Sequence, residues 1–269
     1  MNHFTSGAAM PRIESMSWNP DQYLRFAAPR LRPAIDLVAR LSGEPRTVVD
    51  LGCGTGNVTA LLAARWPRAQ ITGIDDSEPM LEAARREQPA LRWQQRSIAG
   101  WSAESPVDLL FSNAALHWLP DHARLFPHLA AQLAPGGTLA VQMPRNFLAP
   151  SHTGVADAVR AGPWRGRLEA LLGPPPTAEP RAYFDWLLPG AEVLDIWETE
   201  YLQVLHGPDA VKEFTKGSYL KPFLDRLEGA AREAFEADYA ARMRTAYPRR
   251  PDGSTLFPFK RLFIVMKRR

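Results

Sequence analysis

The chain has 269 residues, a formal net charge of +3, one cysteine and 45% hydrophobic residues. That is enough apolar material for the core of one large α/β domain, and a lone cysteine excludes an internal disulfide and a cysteine-rich metal site. No run approaches the roughly 18 apolar residues of a membrane span, and Met1 to Gly7 lacks the basic flank and apolar stretch of a signal peptide. A cytoplasmic protein with no metal and no membrane contact is expected. Of the 32 cationic residues 27 are Arg and 5 are Lys, and they are scattered, in clusters no longer than the pair Arg249-Arg250 and the pair Arg268-Arg269 with Lys267 before it. A nucleic-acid surface needs a dense basic patch, so most of these Arg read as a solvated face, with a few left to grip a small anion.

Residues 1–16 lack apolar periodicity and are expected to be a disordered leader to a single domain over 17–269. A helix carrying Leu31, Ile35, Val38 and Leu41 on one stripe follows, ended by Gly43-Glu44-Pro45. Strands and helices then alternate. Strands are expected at 47–51, 70–75, 91–95, 107–112 and 138–143, and helices at 58–65, 79–87 and 121–133. Pro135-Gly136-Gly137 reads as the turn before the fifth strand. Residues 146–190 are rich in Pro, Gly and short helical pieces, and with 207–256 they are expected to form a helical cap. Strands at 192–205 and 261–266 complete the set, and Ala231, Phe235, Tyr239, Met243 and Tyr247, four residues apart, mark an amphipathic helix between them. The whole predicts an α/β fold: a doubly wound, mostly parallel seven-stranded sheet of Rossmann-like type, with the cap inserted after strand five.

The sharpest local signal is Val48-Val49-Asp50-Leu51-Gly52-Cys53-Gly54-Thr55-Gly56-Asn57, a strand running into a Gly-x-Gly-x-Gly turn and then a helix. Glycines admit left-handed backbone and close approach of a ligand. A dinucleotide site wants its third glycine one residue later, and a phosphate loop wants Gly-Lys-Ser/Thr; neither is present. Asp75 ends the second strand, 19 residues after Gly56, where a carboxylate can accept both ribose hydroxyls. Cys53 inside the turn reads as an inert, packed thiol.

Asp50 to Gly56, Asp75 and the Leu133-Ala134-Pro135-Gly136-Gly137 turn together resemble class I S-adenosylmethionine-dependent methyltransferases over roughly residues 45–145. The resemblance implies S-adenosylmethionine as cofactor and S-adenosylhomocysteine as product. It places Asp50, Gly52, Gly54 and Gly56 in the turn that faces the methionine part, Asp75 at the ribose, and Asp76 to Met80 beside the adenine. Ile98 should line the adenine, and Ser97 stands where such enzymes usually carry an acid. Asn113, at the end of strand four, and Tyr23, ahead of the domain, are further cofactor candidates. Asn113 is followed by Ala114-Ala115 rather than the Pro-Pro of amino-adenine and amide methyltransferases.

Almost the whole chain from Met16 is similar to the bacterial trans-aconitate methyltransferases. The similarity is carried by Trp18-Asn19-Pro20, Arg65-Trp66-Pro67, Leu119-Pro120-Asp121-His122, Leu125 to Leu129, Gln142-Met143-Pro144, Asp195-Ile196-Trp197 and Phe257 to Val265. It implies methyl-ester formation on a small polycarboxylate by in-line transfer without an obligatory base, because a carboxylate is already ionised near neutral pH. His117 and Trp118 are the catalytic candidates, the indole N–H helping to hold the carboxylate. Gln22, Trp118, Gln142, Arg145 and Arg261 are the substrate candidates, with Lys221 and His152 behind them. A monomer or homodimer acting on an acidic small molecule, with no nucleic acid, is expected. The alternative is an O- or N-methyltransferase of a natural-product or quinone-type substrate that uses His117 as its base.

Overall fold

The protein is described by a computed structural model covering residues 31–216 and 219–269. Seven strands form one sheet: β1 (Thr47–Leu51), β2 (Gln70–Asp75), β3 (Arg92–Gln95), β4 (Val107–Asn113), β5 (Leu133–Pro144), β6 (Ala191–His206) and β7 (Ser254–Arg268). Their order is β3-β2-β1-β4-β5-β7-β6. The first five pair in parallel, while β7 runs antiparallel to both β5 and β6. The order reverses between β1 and β4, and at such a switch point the loops leave the sheet on diverging paths and open a crevice at the strands' carboxyl ends.

The helices are α1 (Arg32–Ala39), α2 (Asn57–Arg65), α3 (Glu78–Glu87), α4 (His122–Ala131), α5 (Pro150–Ala161), α6 (Pro180–Leu187), α7 (Ala210–Lys216) and α8 (Gly229–Ala246), with shorter turns between them. One face of the sheet buries Phe111, Ala140 and Phe263 against Ile35, Val38, Leu61, Leu62 and Trp66 of α1, α2 and its end. The other face buries Leu110, Met143 and Ile264 against Phe126 and Leu129 of α4 and Tyr183 and Leu187 of α6. A third core lies beyond the sheet's carboxyl edge. There Val155, Phe235, Tyr239 and Met243 of α5 and α8 close on Phe257 and Phe259. The cap segments thus share a core of their own, whereas α6, inside the expected cap range, belongs to the sheet.

Two elements differ from the sequence expectation. β5 begins at Leu133 and runs through Pro135-Gly136-Gly137: Leu133 pairs with Val107, and after a register shift Thr138 pairs with Leu109. Gly137 has carbonyl oxygens 2.8 and 2.9 Å from where a Cβ would sit, which is why this bulge takes glycine. β7 begins at Ser254, seven residues before Arg261, because Ser254 to Lys260 project past β5 and pair with β6 alone. With one neighbour only, that stretch shows alternating rather than continuous burial and admits Pro258. The leader and the segment around Trp18-Asn19-Pro20 lie outside the described residues.

Gly73, inside β2, allows the closest packing of the sheet. An alanine Cβ there would lie 2.4 Å from the Trp93 ring and 2.9 Å from Cys53 Sγ. Gly73→Ala should cost about 1–3 kcal/mol through overpacking, measured by denaturant unfolding. In a Trp93→Leu background the cost should shrink, and an undiminished cost would refute the packing account.

Candidate active site

The carboxyl end of β1 turns sharply. Gly52, Gly54 and Gly56 have φ of +75°, +54° and +81°, a region that glycine enters without steric penalty. The N–H groups of Gly52 and Cys53 both donate to the Ile74 carbonyl, at 2.8 and 3.0 Å. Asp75 completes the tie: Oδ2 accepts the Gly54 N–H at 2.8 Å and Oδ1 accepts the Ser77 N–H at 3.0 Å. A carboxylate has about four acceptor directions, so each oxygen keeps one for a hydroxyl. The three glycines differ in what they make room for. At Gly52 a Cβ would strike Ala115 Cβ at 2.1 Å, with Ile98 at 3.4 Å. At Gly54 nothing among the described residues lies within 4 Å, so the bare backbone faces open space there. At Gly56 the space is filled by Trp93 and Ala84, which makes it a packing glycine.

A second group stands at the ends of β4 and β5. Asn113 pairs with Gln142, and Gln142 with Phe263, so by strand alternation all three project to the face of α1 and α2. Arg261, two residues before Phe263 on β7, shares that face and lies over the Phe259 ring at 4.3 Å. Among the described residues, Asn113 Oδ1, Gln142 Nε2 and His117 Nδ1 are buried without a hydrogen-bond partner. A buried polar atom left unpaired costs about 1–3 kcal/mol, and three in one corner, next to a glycine turn open at Gly54, fit a polar ligand. Burial, and then the charges of Arg261 and His122, push the His117 imidazole down to about 3. Trp118, 4.6 Å from it ring to ring, is 64% exposed at the mouth.

Residues 48–137 match a methyltransferase domain family. The chain is 46% identical over 253 residues to a trans-aconitate 2-methyltransferase of Azoarcus sp. (strain BH72), covering 94% of this chain and 99% of that protein. The protein of the same name from Streptomyces coelicolor is 45% identical over 264 residues, covering 94% and 87%. This chain belongs to the trans-aconitate 2-methyltransferase family. Among solved structures, the fold matches the YcgJ protein of Bacillus subtilis, with a TM-score of 0.50 and 18% identity over 86% of this chain and 95% of that one. It also matches a Haemonchus contortus phosphoethanolamine N-methyltransferase complexed with S-adenosylhomocysteine, with a TM-score of 0.50 and 15% identity over 88% and 52%.

Against this family membership the remaining candidates fall as follows. Asp50 is buried in β1 and accepts the Thr59 hydroxyl of α2 at 2.6 Å. Asp76 and Ser97 are exposed, Met80 is 46% exposed and Ile98 half-buried. The Ser97 hydroxyl accepts the Ala99 N–H at 3.2 Å. Gln22 and Tyr23 lie outside the described residues. Arg145 stands apart from the other substrate candidates. One residue beyond Pro144, it turns to the opposite face of the sheet from Asn113, Gln142 and Arg261. There it forms ion pairs with Glu179 and Glu198 and donates to the Ala178 carbonyl at 3.1 Å. Its charge is neutralised, and it lines a separate cavity of about 420 Å³ with Phe147, Thr177 and Lys260. His152 is buried against Tyr219, bonded to the Ser151 hydroxyl and lowered by burial to about 4, while Lys221 pairs with Asp225 on the surface. Sequence reasoning missed Ala115, Trp93 and Thr59; a glycine inside a strand, Gly73, was the one signal of the Trp93 approach.

Burial, and to a lesser extent the charge of Asp75, raises the Asp50 carboxyl from 3.8 to about 7 against the opposing Thr59 hydrogen bond. The folded chain therefore keeps a proton that the unfolded chain has released. This contribution to stability is full below about pH 4 and is lost as pH rises through about 7. His117 and His152 act in the other sense, their contribution present above about pH 6.5 and lost as pH falls toward about 3–4. The stability of Asp50→Asn relative to the native chain should therefore rise between about pH 4 and 7. A pH-independent difference in denaturant titrations would refute a protonated Asp50.

Proposed function

We propose that this protein transfers the methyl group of S-adenosylmethionine to a carboxylate of trans-aconitate or a closely related polycarboxylate, forming a methyl ester. The observation that carries the reading is the 46% identity to a named trans-aconitate 2-methyltransferase over nearly the full length of both chains. The residues at the crevice fit the cofactor. Asp75 retains acceptor directions for ribose hydroxyls, Gly54 offers open backbone, Ile98 supplies an apolar wall, and Asn113 Oδ1 is an unsatisfied acceptor. When bound, S-adenosylmethionine supplies an electrophilic methyl on a sulfonium whose leaving group is a neutral thioether.

The chain's own residues then have to hold a carboxylate in line and keep water out. Gln142 Nε2, the Trp118 indole N–H and the Arg261 guanidinium are donors suited to carboxylate oxygens. Arg261 offsets the cost of burying the anion, and its exposure of 9% keeps that charge effective. No proton has to be removed from the nucleophile, because carboxylates are ionised at neutral pH. A hydroxyl or amine substrate would need a base, and an imidazole held near 3 takes up a proton too weakly to serve. The neutral His117 ring instead offers Nδ1 as a hydrogen-bonding group. The cap core built by α5 and α8 is assigned the choice of acid. Among the described residues no helix is long and apolar enough to cross a membrane. The reading is of a cytoplasmic enzyme, monomeric or homodimeric, acting on a small acid and not on nucleic acid.

Labelled S-adenosylmethionine with trans-aconitate and related di- and tricarboxylates should give a base-labile methyl ester; absence of ester from every acid would overturn the reading. Asp75→Ala should weaken S-adenosylhomocysteine binding by about 1.5–3 kcal/mol in calorimetry, and unchanged affinity would remove the ribose role. Arg261→Gln should raise KM for the acid and leave KM for S-adenosylmethionine near the native value. An equal effect on both would argue against a carboxylate contact.

A further inference from the structure

His122 and Tyr183 stand outside the residues assigned above, yet the turn that carries His117 and Trp118 hangs on them. His122 is the first residue of α4 and is buried. Its Nε2 bonds the Leu116 carbonyl at 3.0 Å and its Nδ1 the Tyr183 hydroxyl at 2.6 Å. A carbonyl can only accept, so the ring proton lies on Nε2, and Tyr183 O–H is the donor to Nδ1. Tyr183 is fully buried, and its oxygen accepts the Ala178 N–H at 3.1 Å. The chain thus runs in one direction, from Ala178 through Tyr183 and His122 to Leu116.

The turn needs such a hold. Ala114 and Asp121, on either side of it, have φ of +53° and +54°, a region that residues with a Cβ enter at a cost. Between them stands a single 3₁₀ turn, Leu116–Trp118. Phe126 packs edge-on to Tyr183 with centroids 4.7 Å apart and lies 5.3 Å from His122, which fixes both ring planes. The segment ahead of Tyr183 is anchored in turn to the end of β5, since the Thr177 hydroxyl donates to the Pro144 carbonyl at 3.0 Å. The loop after β4 is thereby tied to the end of β5 through side chains 61 residues apart.

We propose that His122 and Tyr183 are positioning residues, whose hydrogen-bond chain sets the Leu116–Trp118 turn so that His117 and Trp118 meet the reacting carboxylate. This rests on the carboxyl-methylation reading. Tyr183→Phe keeps the ring and its packing and removes only the hydroxyl. It should lower kcat for the acid about tenfold or more, since small misplacements at a reacting centre have effects of that size. KM for S-adenosylmethionine should stay unchanged, and the His117 ring and Trp118 indole resonances should shift in nitrogen-resolved NMR spectra. His122→Gln, which retains a donor for Leu116, should keep more activity than His122→Ala. Native kcat together with unmoved His117 and Trp118 resonances in Tyr183→Phe would overturn the proposal. A native protein that methylates no acid would overturn the carboxyl-methylation reading instead, and the resonances would still decide whether the turn depends on Tyr183.

Discussion

Everything at the carboxyl edge depends on how β1 ends. The chain must leave a strand buried on both faces and enter α2 while passing close to β4, and Gly52 meets Ala115 where any side chain would collide. Two successive amides, on Gly52 and Cys53, satisfy themselves on the one Ile74 carbonyl, and the Asp75 carboxylate holds Gly54 and Ser77 together. These backbone bonds leave the turn rigid and bare. A rigid, bare turn at a topological switch point can present backbone to a ligand without ordering anything on binding.

The pleat of the sheet then sorts the charges. Alternation along β4, β5 and β7 sends Asn113, Gln142 and Arg261 to one face and turns Arg145 to the other, where Glu179 and Glu198 neutralise it. The two arginines are thereby given different work. Arg145 fastens the segment after the cap's first half to β6, while Arg261 stays beside a neutral histidine. Burial explains that neutrality. The same low-dielectric corner that holds His117 uncharged would strengthen the attraction of a cation for a carboxylate. It suits a reaction in which the nucleophile arrives already ionised.

Much of this was legible in the sequence. The alternation of apolar runs marked the five parallel strands, the glycine spacing marked the turn, and Asp75 announced itself by ending a strand. Each is a local pattern. The start of β7 was not legible, because Ser254 to Lys260 are shaped by pairing to β6 alone rather than by burial on both faces. Nor was the part played by His122 and Tyr183. Nothing in Pro120-Asp121-His122-Ala123-Arg124 marks the histidine as buried, and its bond to a tyrosine 61 residues away has no trace in spacing.

The sequence by itself determined the fold class, the cofactor-type turn and the acidic residue behind it, since these follow from periodicity and from glycine's freedom at positive φ. Family membership was already carried by residue strings such as Gln142-Met143-Pro144 and Phe257 to Val265. Only the tertiary structure decided which candidates share a site. It separated Arg145 from Arg261, made Gly56 a seat for Trp93, and gathered three unpaired polar atoms from β4, the turn after it and β5. The physical reason is that a side chain's direction is set by the pleat and by neighbouring strands, and those neighbours are distant in the chain.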